Sequence, residues 1–494
     1  MKPRIPGFTD SLFTSCLVPL TAVVLLAACS VGPQYVRPAG PDVQAYTREP
    51  LNHLGGDNGQ RLATGSGPAQ DWWTLFQSPA LNNTMQQALT GNHTLAAAEA
   101  TLAQAREVVT ASSGARYPQV SLDGGAGRQK YGAEFGGPAV PPPFTYFAIG
   151  PSVSYLLDYT GGTARAIEQQ QAQADTAAFQ LQAAYLSLTS NVAQQSLASA
   201  AARAQIAAVQ ALLAEDEKNV SLVQSAFAAG AVTRVDVLSA QSQFASDQTL
   251  LPPLHQQLSV AQHALSVLVG QAPANWTPPE FALSDFHLPQ SLPLSLPSEL
   301  AHQRPDILAA EAQLHAATAA VGVATSNLYP QIRLTTNASQ QSTTLVHLFD
   351  ASSTAWGLVA GLTAPVFDGG TLRAQRRGAE DAMHAAAARY QQVILQAFGQ
   401  VADALTALDQ DSAQLAAQQN ARDTAKENLA LARESYHYGN SSVLTVLDAE
   451  RLFQKSELGY VRAQAQRYQD TAQLLLALGG GTTLAPDAKT QTVK

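Results

Sequence analysis

Apolar residues in this chain keep a helical spacing over two unusually long stretches. Across residues 163–229 no proline or glycine interrupts the sequence, and apolar side chains recur alternately every three and four positions. A spacing that averages 3.5 residues predicts a long helix that packs as coiled coils do. Residues 371–438 keep a similar spacing and predict a second long helix. Shorter return helices are predicted to follow, at about 234–268 and 443–477.

Before each long helix the apolar spacing changes to every second residue, as in a strand with one apolar face. Strands are predicted at about 119–130 and 147–157 before the first long helix, and at about 331–341 and 356–366 before the second. Each strand has about ten residues, which suits a tilted transmembrane strand. A soluble sandwich is the alternative, although its strands are usually shorter.

Landmark residues recur in the same order at a nearly constant distance. Tyr117–Pro118–Gln119 returns as Tyr329–Pro330–Gln331, and Gly230 returns as Gly439. This shared order indicates an internal duplication. Each copy is predicted to run as helix, strand, loop, strand, long helix, turn and return helix.

The two copies set the division of the chain. Each copy begins with a helix, predicted at roughly Asn83–Ser112 and Ser298–Thr325, and Ser298 is predicted to cap the second of these helices. The predicted segments are a signal peptide (1–28), an N-terminal segment (29–82), a first repeat (83–271), a linker (272–297), a second repeat (298–478) and a C-terminal tail (479–494).

The N-terminus has the pattern of a targeting segment. Lys2 and Arg4 precede a largely apolar run at residues 12–28, as in a secretory signal peptide. The run ends in Leu26–Ala27–Ala28–Cys29, which resembles a bacterial lipobox, so Cys29 is expected to become the lipidated first residue of the mature chain. An uncleaved membrane anchor of about 17 residues is the alternative.

Two neighbouring details bear on this expectation. Ser30, in place of an aspartate after the cysteine, favours the outer membrane by resemblance to lipoprotein sorting. Cys16 would leave with the signal peptide, and Cys29 would carry lipid. The mature chain is therefore predicted to have no disulfide, and its stability must come from packing and assembly.

Composition narrows the function classes. Only 13% of the 494 residues are charged, the net charge is −9, and no basic cluster occurs, which argues against nucleic acid as a partner. The ten histidines lack the paired spacing of zinc sites, and no phosphate-binding loop or Ser/His/Asp set is evident. The sequence predicts neither an enzyme, nor a metal site, nor a bound cofactor.

Membrane crossing, if it occurs, is predicted to use strands. After residue 29 no uninterrupted apolar stretch reaches about 18 residues, the length that a membrane helix needs. Four strands cannot close a barrel, and an open sheet edge in lipid leaves backbone groups unpaired at several kcal/mol each. Several chains would have to pool their strands. Two would give eight strands with a filled interior, and three would give twelve with a pore.

Several motifs then point to a family. The chain resembles the TolC-like outer membrane efflux proteins, in particular the lipoprotein branch that works with resistance-nodulation-division (RND) pumps, over essentially its whole mature length. The motifs are Val31–Gly32–Pro33–Gln34–Tyr35–Val36–Arg37–Pro38, Asp71–Trp72–Trp73 with Phe76, Leu296–Pro297–Ser298–Glu299–Leu300, Arg304–Pro305–Asp306–Ile307, Ala310–Glu311, Val401–Ala402–Asp403–Ala404–Leu405, and Gly439 with Val446–Leu447–Asp448–Ala449.

The resemblance implies an α+β membrane protein that works as a homotrimer. Its four transmembrane strands per protomer would form a twelve-stranded β-barrel in the outer membrane, continuous with a periplasmic α-helical barrel. A belt around the middle would come from about Gly32–Leu81, Ala272–Pro297 and the C-terminal tail. Cys29 would carry diacylglycerol and an N-acyl chain, so the protein would be both lipid-anchored and barrel-inserted.

The function implied by the resemblance is passive. The chain would be the outer membrane channel of a tripartite efflux system, conducting drugs or other toxic small molecules across the periplasm and outer membrane. Its partners would be a periplasmic adaptor, an inner-membrane RND pump and outer membrane lipid. The alternatives are a duct for type I protein secretion and, less favoured, a periplasmic adaptor. The exported compounds cannot be named from the sequence.

By the same resemblance, the turns between long and return helices are candidates for the gate or for adaptor docking. The alternative is that they are solvated turn residues. Asp403, Asp409 and Asp411 lie far from Gly439 along the chain, so no acidic gate residue is assigned. The candidates at the turns are Gly230, Arg234, Asp236, Glu434, His437, Tyr438 and Gly439.

Two conspicuous motifs are interpreted as structural. Arg304–Pro305–Asp306 lies near the predicted start of a helix, where Arg304 would pair with a nearby group. Trp72–Trp73 is expected to pack in the belt, because tryptophans contribute large buried area.

Overall fold

The structure used here is a computed structural model of the chain. The predicted signal peptide, the uncleaved-anchor alternative, Cys29 and the tail beyond Gly480 lie outside the described residues. The described residues are 30–40, 43, 45–49, 53–54, 60–65, 67–132 and 142–480.

Helices and strands follow one another in the order that the duplication predicts, with additional short elements. The strands are β1 His53–Leu54, β2 Gln60–Thr64, β3 Gln119–Gln129, β4 Phe144–Leu157, β5 Ser291–Leu294, β6 Gln331–Ser342 and β7 Thr354–Thr363. The helices are α1 Pro79–Gly91, α2 His93–Ser113, α3 Gly162–Ala228, α4 Arg234–Gln248, α5 Leu251–Leu268, α6 Pro297–Leu300, α7 Pro305–Ser326, α8 Thr371–His437 and α9 Val443–Ala477.

One compact unit contains a four-stranded sheet. Its described residues are 30–37, 103–132, 142–176 and 310–389. The strands lie in the order β3-β4-β6-β7, and each pairs with its neighbour in antiparallel fashion. The β4–β6 pair joins the strands of the first repeat to those of the second. No described strand pairs with the outer edge of β3 or of β7.

The second compact unit contains the helical hairpins and the largest apolar core. It covers residues 38–102, 177–309 and 390–494, apart from those outside the described part. It also holds a three-stranded sheet, β1-β2-β5, in which β2 and β5 are parallel. No pattern in the sequence predicts this sheet. The core packs aromatic rings from distant segments: Trp72, Phe76, Phe281, Phe286 and Tyr468.

Trp72 and Trp73 are both buried and meet edge to face at 6.2 Å, so the interpretation of this motif as packing is confirmed. The interpretation of Arg304 is also confirmed. Its buried guanidinium donates to both carboxylate oxygens of Asp306, to the Gln400 side chain at 2.8 Å and to the Ala477 carbonyl at 2.9 Å. Arg304 thus joins the start of α7 to the end of α9.

The predicted first helix of the first repeat is wrong in two respects. The structure begins it at Pro79, where the Ser78 hydroxyl caps the Leu81 amide, and breaks it at Asn92. The Asn92 side chain accepts from the Leu95 amide at 3.0 Å and so starts α2. It also donates to the Leu268 carbonyl at 2.9 Å, which holds the break in place.

The corresponding prediction in the second repeat is wrong as well. Ser298 is not a cap, because it lies inside the single-turn helix α6, whose N-cap is Leu296. The carboxylate of Glu299 accepts from the Leu296 amide at 3.2 Å and so gives the N-cap amide of that turn a hydrogen-bond partner. The long helix α7 begins only at Pro305, since proline at the first helical position lacks the amide hydrogen that would be unpaired there.

The first return helix is interrupted next to two adjacent prolines. α4 ends at Gln248 and α5 begins at Leu251, so Pro252 and Pro253 occupy the first turn of a new helix, where proline is tolerated. The second return helix, α9, has no proline and runs without a break.

Two helices depart from the expectation about apolar stretches. By length and composition alone, α3 and α7 each contain an 18-residue window apolar enough to cross a membrane. Alanine raises the mean hydropathy of these windows although polar residues interrupt them. Half of each window is buried inside the structure.

Candidate functional site

The four-stranded sheet has one apolar face. The register pairs Val120 with Val153, Val153 with Thr336, and Thr336 with Leu358, so these side chains project on the same side. Much of this face lies open: Leu122 is 72% exposed and Trp356 79%. Residues that share it are Val120, Leu122, Phe147, Ile149, Val153, Tyr155, Leu157, Ile332, Leu334, Trp356, Leu358 and Leu362.

Aromatic residues lie towards both ends of this sheet. Tyr117 and Tyr329 precede β3 and β6 at one end, and both are exposed. Phe144 begins β4 and Trp356 lies near the start of β7, at the opposite end. Aromatic girdles at the two interfaces are typical of transmembrane barrels.

The opposite face of the sheet is polar. Ser152 donates to an Asp123 carboxylate oxygen at 2.6 Å, and its hydroxyl lies 2.7 Å from that of Ser121. Arg333 donates to the Ser154 hydroxyl at 3.1 Å. A sheet with one apolar and one polar face can separate lipid from water when its edges are closed.

The N-terminal segment of this unit is held against the sheet junction and α7. The Val31 amide donates to the Thr160 carbonyl at 3.0 Å, at the link between β4 and α3. Tyr35 donates to Glu311 at 3.0 Å, and Arg37 donates to the other oxygen of the same carboxylate at 2.8 Å. We name residues 30–37 the N-terminal strap. Cys29, which directly precedes the strap, lies outside the described residues.

The strap continues into a chain of half-buried polar groups that ends at the buried Arg165. The Tyr35 ring stacks on His315 with ring centroids 4.2 Å apart. His315 contacts Glu168 at 2.9 Å, and Glu168 also accepts from Arg165 at 2.7 Å. Burial alone would raise the pKa of Glu168, but the hydrogen bonds from His315 and Arg165 outweigh it and lower that pKa.

The turns between the long and return helices, which we name the helical tips, have the same geometry in both repeats. Gly230 takes a φ of +75° and Gly439 a φ of +73°, a conformation that glycine adopts without strain. The Gly230 amide donates to the Phe227 carbonyl, and the next amide donates to the carbonyl of Ala226, both at 2.9 Å. This pair of bonds is the Schellman motif that ends helices at glycine.

Asp236 has a local structural role at the first tip. Its carboxylate accepts from the Thr233 hydroxyl and amide, both at 2.7 Å, and the Asp236 amide donates back to Thr233. These bonds form a capping box at the start of α4. The side-chain bond from Thr233, followed by its backbone bond, lowers the pKa of Asp236.

The other tip candidates present polar groups outward. Arg234, Glu434, His437 and Tyr438 are all exposed, and the rings of His437 and Tyr438 lie 5.5 Å apart. No hydrogen bond or ion pair engages the Arg234 side chain within the described residues. The tip therefore offers charged and aromatic groups to a partner.

The two tips are joined by a small apolar cluster. Val223 from α3, Val237 from α4 and Leu447 from α9 pack together, and all three are buried. The pair Arg433 and Glu450, which the sequence analysis does not single out, forms an ion pair across the second hairpin.

Metal chemistry has no support in the part of the chain that the structure describes. No group of three or more His, Cys, Asp or Glu side chains there is arranged to hold a metal ion. The candidate functional surfaces are instead the two-faced sheet, the strap and the tips.

Comparison with known proteins identifies the family to which this architecture belongs. A model of the outer membrane efflux protein family matches residues 84–271 and 296–480. The chain is 32% identical to the pyoverdine export outer membrane protein OpmQ of Pseudomonas putida, over 84% of this chain and 88% of that protein. It is 28% identical to the probable outer membrane lipoprotein SilC of Salmonella typhimurium, over 95% and 99%. The solved outer-membrane channel OprN matches with a TM-score of 0.82 and 27% identity, over 92% and 99%.

The fold and these matches define a TolC-like outer membrane channel. The chain belongs to the outer membrane efflux protein family, as the sequence motifs predict. It is an outer membrane channel protein of an efflux system, and it is not an enzyme. The matches give no support to a type I secretion duct or to a periplasmic adaptor.

Proposed function

We propose that three copies of this chain assemble into one conduit, in which each supplies four strands to a twelve-stranded barrel and its long helices to a periplasmic α-helical barrel. The observation that carries this proposal is the open sheet. The outer edges of β3 and β7 lack partners within the described residues, and the exposed apolar face suits lipid. In lipid, unpaired edges cost several kcal/mol for each backbone group.

Three copies fit the chemistry of the faces better than two. Eight strands give an interior that side chains fill, whereas twelve leave a passage. The inner face here carries Ser121, Asp123 and Ser152, hydrogen-bonded to one another. Such short polar side chains suit the wall of an aqueous passage that conducts solutes without binding them strongly.

The conduit is proposed to be passive, with energy supplied by an inner-membrane RND pump through a periplasmic adaptor. The exposed groups at the tips, Arg234, Glu434 and His437, would meet that adaptor or close the passage. The cargo is proposed to be drugs or other toxic small molecules. The relative OpmQ is named for pyoverdine export, which is a small-molecule cargo.

Cys29 is proposed to carry the lipid anchor. The strap places Ser30 against Gly161, at the junction of β4 and α3, where the sheet ends. Since consecutive Cα atoms are 3.8 Å apart, the anchor would enter the membrane close to that junction. The relative SilC is itself named a probable outer membrane lipoprotein.

Deletion and purification together test the proposal. A strain that lacks the chain should become sensitive to a subset of toxic compounds, and a plasmid copy should restore growth. The detergent-extracted protein should have the mass of three chains and should migrate differently before and after heating. A stable monomer without a heat-sensitive form would contradict the trimer, and an unchanged sensitivity profile would contradict the proposed cargo class.

A further inference from the structure

Each helical hairpin buries an aspartate of the long helix against an aspartate of the return helix. In the first hairpin Asp216 of α3 is 4% exposed and faces Asp247 of α4 within hydrogen-bonding reach. In the second, Asp411 of α8 is 7% exposed and faces Asp470 of α9 in the same way. Two carboxylates held this close cannot both be charged without a large electrostatic cost.

Both pairs have the same construction. The return-helix aspartate accepts from a glutamine one turn earlier, at 2.7 Å from Gln243 to Asp247 and at 2.9 Å from Gln466 to Asp470. An amide donor stabilises the charged form of that carboxylate. The buried oxygen Oδ2 of Asp216, and that of Asp411, has no hydrogen-bond partner while both aspartates of its pair are charged, because a charged carboxylate can only accept. The proton therefore belongs on the buried aspartate of the long helix, which donates it to its charged neighbour.

The surrounding charges favour this arrangement without removing the need for a proton. Arg451 of α9 faces Asp216, and Arg467 of α9 faces Asp411. One cation per pair compensates one carboxylate and leaves the second to be neutralised. Glu215, next to Asp216, faces Glu450 instead, where Arg433 supplies the cation.

The duplication shows that the fold does not require these acids. The two hairpins have equal lengths, from α3 and α8 through their tips to the ends of α5 and α9, so positions correspond one to one. Asp216 and Asp247 correspond to Ala425 and Ser456, and Asp411 and Asp470 correspond to Ala202 and Ala261. Three of these four counterparts are buried alanines.

We propose that each pair shares one proton, which ties the long helix to its return helix, and that loss of this proton loosens the hairpin as the pH rises. The two aspartate pairs would lie at different distances from the helical tips. Asp216 is 14 residues from Gly230 and Asp411 is 28 from Gly439, or about 21 and 42 Å along a helix.

Asp216 and Asp411 are expected to lose their protons near neutral pH. Burial first, and then the bond and charge of Asp247, raise the pKa of Asp216 to about 6. Burial and Asp470 raise the pKa of Asp411 to about 7. A carboxyl whose pKa is raised on folding contributes stability below its unfolded pKa of about 3.8, and this contribution is lost as the pH rises through 6 and 7.

Solvent can reach the first pair. A cavity of about 670 Å³ opens beside it and is lined by Asp247, Gln243, Arg451 and Lys455 among other residues. Protons can therefore exchange with solvent without unfolding of the hairpin.

The experiment uses the full-length protein in detergent and the variants Asp216→Asn, Asp411→Asn and both together. Asparagine keeps the donated hydrogen bond but cannot titrate. Thermal midpoints are measured between pH 5 and pH 8, together with the infrared carbonyl band of protonated carboxyls. The native protein should lose stability and this band across the range. The double variant should keep less than roughly half of that pH dependence and should be the more stable at pH 8.

Glu217→Gln is the matched control, because Glu217 is exposed and adjacent to Asp216. It should behave as the native protein does. If an asparagine variant fails to fold, Asp216→Ala with Asp247→Ser copies the residues of the other hairpin and serves in its place. An unchanged pH dependence in the double variant, or no protonated carboxyl above pH 5 in the native protein, would overturn the proposal.

Discussion

Ser152 and Asn337 occupy paired positions on β4 and β6, where the strands of the first repeat meet those of the second. Both belong to the polar face of the sheet. Because the two repeats are copies, a neighbouring chain that joins its β3 to the free edge of β7 would reproduce this junction. In the proposed trimer, the pairing within one chain would therefore specify the pairing between chains.

The corresponding positions follow from the two strand pairs. In the β3–β4 pair, Ser152 lies opposite Ser121. Arg333 is the counterpart of Ser121 in the second repeat, and in the β6–β7 pair it lies opposite Gly361. Gly361 is thus the counterpart of Ser152. Asn337, the β6 partner of Ser152, corresponds to Gly125 of β3 when the two Tyr–Pro–Gln motifs are aligned. Gly361 of one copy should lie opposite Gly125 of the next.

Cysteines at these two positions should link the copies covalently. A Cβ at Gly125 meets no atom within 4 Å, and one at Gly361 makes only an ordinary contact of 3.8 Å, so both substitutions should be tolerated. Paired strand positions have the separation that disulfides need. The variant Gly125→Cys with Gly361→Cys should give dimers and trimers in denaturing, non-reducing electrophoresis after mild oxidation.

Gly125→Cys with Ala355→Cys is the control for register. Ala355 lies on the same face of β7, six residues from Gly361, or about 20 Å along the strand. This pair, and each single cysteine, should remain monomeric under the same conditions. Equal cross-linking of the control would show that the predicted register is incorrect.

A lock between the tips should stop efflux if the tip helices twist to open. Val237 and Leu447 pack in one cluster and belong to different hairpins. Cysteine is a small apolar residue and should be accepted at both buried sites. The double variant Val237→Cys with Leu447→Cys should lose resistance to exported compounds when oxidised and should regain it with a reductant. Full efflux in the cross-linked protein would refute gating by twist.

Arg304 should be essential for stability rather than for transport. Removing its side chain leaves the carbonyl of Ala477 without this donor and leaves the carboxylate of Asp306 only the Ile307 amide. A loss of about 3 kcal/mol is expected for Arg304→Ala, because a buried cation with several bonds is removed. The exposed Arg234→Ala should change the thermal midpoint little. Comparable midpoints in the two variants would contradict the structural role of Arg304.

The long helices were predictable because their signal is local. From Thr163 to the end of α3 the apolar spacing persists without proline or glycine, and the structure bounds that helix at Gly162 and Ala228. The break at Asn92 was not predictable, since it depends on the carbonyl of Leu268, which is 176 residues away. The β2–β5 pairing was missed for the same reason, because it joins segments that are distant in sequence.

The backbone geometry of the helical tips was predictable from turn chemistry. Glycines at the tips end the helices in the left-handed conformation, as expected of a C-terminal cap. The buried aspartate pairs were not anticipated. Asp216 stands in the sequence only as a gap in the apolar spacing of α3, and its partner comes from another helix. A polar residue on an otherwise apolar seam is the signal that would have found it.

The N-terminal strap is hydrogen-bonded to α7 through the carboxylate of Glu311. Glu311 accepts from both Tyr35 and Arg37, so Glu311→Ala should release the strap, whereas Glu311→Gln should retain the Tyr35 bond. Proteolysis of the folded protein should cut the strap faster in the alanine variant. Release should also follow acidification, because the lowered pKa of Glu168 means that its contribution exists above pH 4.5 and is lost below that value. Cleavage of the alanine variant at the rate of the native protein would show that Glu311 does not hold the strap.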